Sequence, residues 1–186
     1  MAVMKPVLYL LVCAAPPVQF VDGVIRDAQA KGWEVCLGLT PTAATWLEER
    51  IPELVELTGR PVRIAARRPG VDDGWPPADV TVLAPATLHT VNATALGLTL
   101  SWVAAFACEA IGKRWPLVVL PCVNSAYATH PQFGRSIATL REAGVEVLFG
   151  EGGFVPNEPG KGRPEAYPWH LALDAAARRR RVGERN

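Results

Sequence analysis

The chain has 186 residues, and at a nominal ~150 per domain it reads as a single domain, 1–186, with a core over about 6–150 and an extension over 151–186. Apolar residues make up 49% and charged residues 20%, which is material for a real core and too little charge for a disordered chain. Nineteen Lys and Arg against eighteen Asp and Glu leave a net charge of +1, so a whole-surface basic footprint for nucleic acid is absent.

Taken in chain order, the elements alternate. Val7–Cys13 is a continuous apolar run that reads as a buried first strand rather than a secretory h-region, because Pro16-Pro17 and an amphipathic run follow it. Pro17 to Lys31 has helical spacing with Gly32 beyond it, and Trp33–Leu39 is a second strand. Thr40-Pro41 opens a helix over Thr42–Glu49, and Pro52–Thr58 adds another, stopped by Gly59. Val62–Ala65 is expected as a third strand, and 67–77 as a loop in which Asp72 and Asp73 are turn residues. Val80–Ala84 is a fourth strand, and Thr87 to Ile111 is expected as one long buried helix. Pro116–Leu120 and Val145–Phe149 are the fifth and sixth strands, with a loop over Pro121–Thr129 and a helix over Pro131–Ala143 between them. A Gly- and Pro-rich segment, 150–164, leads to a last helix near Trp169–Arg181, whose Arg178–Arg181 run is expected to be a solvated helix end.

Between Asp79 and Glu109 lie 29 residues without a single charge. That is long enough to span a bilayer, but Pro85 and polar residues including His89, Thr90, Asn92, Thr94, Thr99 and Ser101 interrupt it, and no basic cluster precedes it. The expectation is therefore a non-membrane, cytoplasmic protein. Its four cysteines (13, 36, 108, 122) have no metal or redox spacing and read as reduced, largely buried thiols, and no metal site is expected.

Apolar strands alternating with helices imply an α/β, Rossmann-like three-layer αβα sandwich with a mainly parallel six-stranded sheet. In such sheets ligands lie beyond the carboxyl ends of the strands, which nominates the loops 13–17, 40–45, 85–90 and 121–129. No G-x-G-x-x-G or P-loop is present. Ala14 and Ala15 would let a ligand approach the backbone, and Thr40 and Thr42 stand at a helix N-terminus, where an anion or a simple N-cap are both open. Thr87, His89 and Thr90 add hydroxyls and a candidate acid or base. Pro121, Asn124, Ser125 and Tyr127 belong to a loop whose amide, hydroxyl and phenol suit a heteroaromatic ring.

Two of these segments resemble the homo-oligomeric flavin-containing cysteine decarboxylases. The run 121–147, PCVNSAYATHPQFGRSIATLREAGVEV, is similar to the Pro-x-Met-Asn segment and following helix and strand of phosphopantothenoylcysteine decarboxylases. The run 83–97, LAPATLHTVNATALG, resembles their Pro-Ala-Ser-Ala-Asn-Thr motif, and 150–174 is similar to the tail of the family's actinobacterial flavoproteins. The resemblance implies FMN in a cleft at a subunit boundary of a trimer or a multiple of trimers. It implies phosphate or ribityl contacts at Thr40, Thr42 and Thr87, and flavin or substrate beside Ala14, Ala15 and Pro121–Asn124.

Departures from the family fall on its chemistry. His89 replaces the Asn that holds the substrate carboxylate, Ala93 replaces a Lys, Val123 replaces Met, and no His occurs before Pro77 to serve as the family's base. The expected function is an FMN-binding enzyme acting on a small-molecule or peptidyl substrate in secondary metabolism, with cysteine decarboxylation disfavoured. In it His89 acts as acid or base, and Asn124, Ser125 and Tyr127 position the substrate. Two alternatives are a flavin-free cyclase or isomerase using His89 and Tyr127, and a non-catalytic binding subunit. A flavin prenyltransferase role is disfavoured because the loops carry no basic cluster.

Overall fold

A computed structural model describes residues 4–72 and 74–180. Five strands form one sheet: β1 (Val7–Val12), β2 (Glu34–Leu39), β3 (Val80–Ala86), β4 (Leu117–Pro121) and β5 (Glu146–Val147). Their order is β2-β1-β3-β4-β5 and every pairing is parallel. β1, β3 and β4 are buried along their whole length, which is why they read as unbroken apolar runs rather than alternating ones. The register of β3 on β4 shifts between Leu83 and Ala86, and the Ala84–Pro85 peptide is cis.

The helices are α1 (Val21–Ala30), α2 (Pro41–Trp46), α3 (Ile51–Thr58), α4 (Leu88–Ala95), α5 (Trp102–Gly112), α6 (Ser125–Ala128), α7 (Pro131–Glu142) and α8 (Trp169–Arg179). On one side of the sheet α8 lies across β3 and β4 and touches α1, with α3 against α1. α4 packs with both α5 and α7 to form the other layer. Among the described residues no helix is long and apolar enough to cross a membrane.

Three expectations are corrected. The sheet has five strands rather than six: the stretch 62–65 contributes one bridge, in which the Arg63 N–H donates to Leu37 O (3.0 Å) and Arg63 O accepts from Leu39 (2.8 Å). Pro61 has no N–H for such a ladder, and Ile64 and Ala65 face solvent, so pairing stops after one residue. The long helix divides into α4 and α5. Gly97 takes the left-handed conformation (φ 70°) just past α4, and the Ser101 hydroxyl caps α5 by accepting from the Ala104 N–H (3.2 Å). The basic run of α8 is not simply solvated either. Arg178 pairs with Glu146 at 2.8 Å and Arg179 donates to Gly144 O at 2.8 Å, which ties α8 to the β5 edge. Arg181 and Asp73 lie outside the described residues.

Candidate active-site cleft

The strand order turns back between β1 and β3, and a cleft of about 1120 Å³ opens beyond their carboxyl ends. Its floor joins the loops after β1 (Ala14–Pro17), β3 (Thr87 into α4) and β4 (Cys122–Asn124). Those loops are tied together underneath. The Cys13 N–H donates to Pro85 O (3.2 Å), the Cys13 thiol donates to the Thr90 hydroxyl (3.3 Å), and Thr90 shares a hydrogen bond with the Thr87 hydroxyl (3.2 Å). Burial pushes the Cys13 thiol up, so it remains a neutral donor in this chain.

One wall is the face of α4. Thr87 caps the helix by accepting from the Thr90 N–H, and His89, Asn92 and Ala93 follow at helical spacing toward the cleft. The buried Oδ1 of Asn92 has no hydrogen-bond partner. In the loop after β4, Asn124 caps α6 by accepting from the Tyr127 N–H (3.0 Å), which leaves its amide NH2 as the donor it can offer. Tyr127 lines the cleft and is exposed.

The other wall comes from the Gly- and Pro-rich segment, 153–168, which runs back over the strand ends. A tight turn starts it: Gly153 donates to Gly150 O (2.9 Å) and Phe154 to Leu148 O (3.0 Å). A Cβ at Gly153 would meet the backbone of Leu148 and Phe149, so only glycine fits there. Two further ties hold the segment down. The Ser125 N–H donates to Asn157 O (2.8 Å), and the buried Tyr167 hydroxyl donates to Leu120 O (2.6 Å) at the end of β4. Tyr167 meets Phe154 in a tilted contact at 5.7 Å and Trp169 edge-on at 5.0 Å between ring centroids.

The structure thus brings together Ala14, Ala15, Thr87, His89, Asn124 and Tyr127 of the residues nominated from the sequence. Thr40, Thr42, Thr90, Pro121 and Ser125 do not line the cleft. Thr40 caps α2 by accepting from Ala43 (3.3 Å), and its N–H donates to Val12 O (3.0 Å), placing it beside the loop after β1. Thr42 is exposed, Thr90 is buried beneath the floor, and Pro121 ends β4. Cleft residues that the sequence reading missed are Asn92, Leu96 and Leu98 on and after α4, and Phe154, Asn157, Glu158, Arg163 and Tyr167 on the covering segment. Asn92 was findable, because it lies three residues after His89 on the same helix face. Cys122 also lines the cleft, and burial raises its thiol to about 11, so it is not a thiolate at neutral pH. Among the described residues no three His, Cys, Asp or Glu side chains gather as a metal site.

A family model described as Flavoprotein matches residues 32–168, from just before β2 to the end of the covering segment. The chain belongs to the Flavoprotein family. Solved structures of similar fold include the FMN-dependent cysteine decarboxylase SpaF, with TM-score 0.67, 21% identity, and 92% of this chain and 97% of that one covered. The peptidyl-cysteine decarboxylase EpiD aligns with TM-score 0.65 and 16% identity over 78% of this chain and 82% of its own. A PPC decarboxylase mutant complexed with pantothenoylaminoethenethiol aligns with TM-score 0.63 and 18% identity, over 95% of this chain and 97% of that one. No curated protein matches the chain in sequence. At these identities the structural likeness establishes the α/β fold with its parallel sheet.

Proposed function

We propose that this Flavoprotein-family chain binds FMN in the cleft at the β1–β3 switch and acts there on a small-molecule or peptidyl substrate. The observation that carries the reading is the cleft itself, where the loop after β1 meets the loops after β3 and β4, both within the family match, on one apolar space rimmed by hydroxyl and amide groups. The lining fits the group. Ala14 and Ala15 leave room for close approach of a ring, and the unpartnered Oδ1 of Asn92 is an acceptor suited to a ribityl hydroxyl or a ring N–H. Thr87, on the cleft lining, would serve the ribityl chain, and Thr40 and Thr42, outside that lining on the neighbouring strand end, would meet only a phosphate that reaches past the loop after β1. When bound, FMN would supply the redox chemistry.

The chain's own groups then do the rest. His89, exposed on the cleft wall, holds or moves a proton, and Asn124 and Tyr127 orient the substrate. Ser125 acts through the cover, which its N–H ties to Asn157. Cysteine decarboxylation in the family's usual manner is disfavoured, because His89 stands in place of the carboxylate-binding Asn and no His precedes Pro77. The chain would assemble as a trimer or a multiple of trimers, and exposed Leu96, Leu98 and Leu100 supply apolar surface that another copy would cover.

Purified protein is expected to be yellow, or to quench FMN fluorescence at one flavin per chain. A colourless protein that fails to take up FMN overturns the reading. The predominantly apolar lining favours a second reading, a flavin-free cyclase or isomerase with His89 and Tyr127 as proton-transfer groups. That reading predicts turnover by colourless protein and its loss in His89→Ala.

A further inference from the structure

A second cavity, of about 570 Å³, lies on the α5 side of the sheet beside the amino-terminal ends of β3 and β4. Its wall is a run of rings. Trp75 meets Tyr9 edge-on at 4.7 Å between centroids, Tyr9 meets Phe106 at 5.6 Å, and Phe106 meets Trp115 at 6.1 Å. Several polar ring atoms are bonded to backbone. The Tyr9 hydroxyl donates to Pro76 O (2.7 Å), Trp75 Nε1 to Pro61 O (2.8 Å) and Trp102 Nε1 to Leu39 O (2.9 Å). What these rings offer the cavity is therefore π surface. Trp102, Phe106 and Trp115 are only half-buried, so aromatic area faces the open space.

Cations stand at both ends of this wall. The Arg63 guanidinium lies 4.1 Å from the Trp75 ring centroid and 5.5 Å from that of Trp102, and the Lys113 ammonium lies 4.5 Å from that of Trp115. Arg67 also lines the space. Among the described residues the lining charges are Arg63, Arg67 and Lys113 against Glu109, which itself pairs with Lys113. Burial pulls the Arg63 guanidinium below its ordinary value, yet an arginine stays cationic at neutral pH. Planar rings beside a planar guanidinium fork match a ligand with a flat apolar body and a two-oxygen anion at one end.

We propose that this cavity binds a small planar aromatic acid, its ring on the Tyr9–Phe106–Trp115 wall and its carboxylate held by Arg63 and Arg67. The site is separate from the cleft, and the inference stands whether or not the cleft holds FMN.

Calorimetric titration of the full chain with indole-3-acetate tests this, with tryptamine as the probe of the same ring and opposite charge. The expected result is one indole-3-acetate bound per chain and no measurable tryptamine binding. Arg63→Gln and Arg67→Gln should each weaken the acid about tenfold or more, since each removes a charge-assisted hydrogen bond. Arg67 is exposed, so its replacement keeps the test valid if Arg63→Gln does not fold. His89→Ala should bind the acid as the parent chain does, because it alters only the cleft. The proposal is overturned by absence of binding to folded protein, by equal binding of tryptamine, or by binding that responds to His89→Ala and not to Arg67→Gln. It is also overturned if Trp115→Arg dissociates an oligomer while the parent chain binds no acid, which would assign this face to a second copy of the chain.

Discussion

The two ends of the sheet are built from opposite materials. At the carboxyl end, small side chains and capping hydroxyls make a floor that leaves space, and a distant segment of chain returns to cover it. At the amino end, rings and guanidiniums fill the space from β1, α5 and the 61–78 connection, and the cavity they leave carries net positive charge among its described residues. The difference follows from strand polarity. Carboxyl ends of parallel strands release loops into helix N-termini, where hydroxyls and amides cap, whereas side chains of packed elements shape the other end.

The largest test of this contrast is removal of Tyr167. Tyr167→Ala deletes a buried ring and its hydrogen bond to Leu120, and should cost about 3–5 kcal/mol in denaturant unfolding. Acid binding at the amino end should survive in the fraction that folds. A cost below about 1 kcal/mol would mean that the cover is not anchored there. Gly38→Ala, near the carboxyl end of β2, probes the Trp102 side of the second cavity. Its Cβ would meet the indole of Trp102 and the Leu11 side chain (2.7 Å), so a loss of about 1–3 kcal/mol and an altered near-UV tryptophan signal are expected. Thr87→Ala removes the α4 cap and should cost about 1 kcal/mol by thermal melting.

Two smaller effects sharpen the comparison by pH. Since burial lifts the Cys122 thiol to about 11, its alkylation by iodoacetamide, followed by peptide mass mapping, should be slow at pH 7. The rate should rise roughly tenfold per pH unit above that, following the thiolate fraction. Rapid labelling at pH 7 would reveal an activated thiol in the cleft. Asp22 serves as a control away from both cavities. Burial opposes its ionisation, but the hydrogen bond and charge of Arg50 at 2.8 Å outweigh this and hold the carboxyl below its ordinary value. Arg50→Ala should therefore cost only about 0.5 kcal/mol for this partly exposed pair. Because the folded-state value is depressed, that difference is present above the ordinary carboxylate range and disappears as pH falls through the lowered value.

Much of this architecture was legible in the sequence because the decisive signals are local. β1, β3 and β4 announce themselves as apolar runs, and Thr40, Thr87 and Asn124 are capping residues at strand ends. The division between α4 and α5 was also written there, in Gly97 and Ser101, but the uncharged composition around them masked it. The single-residue bridge at Arg63 and the docking of 153–168 were not legible. Each depends on partners far along the chain, such as Leu37 for Arg63 and Leu120 for Tyr167, and no periodicity encodes such a meeting. Half of the cleft therefore became visible only in three dimensions.

The hydrogen-bond chain from Cys13 through Thr90 to Thr87 has a kinetic and thermodynamic corollary. It locks two loops into one rigid unit, so a ligand entering the cleft finds its floor already organised and loses little entropy there. The opposite wall, 153–168, rests instead on three separate anchors at Gly153, Ser125 and Tyr167. Residence time should thus respond to substitutions at these three anchors, whereas the choice of ligand should respond to His89, Asn92 and Asn124.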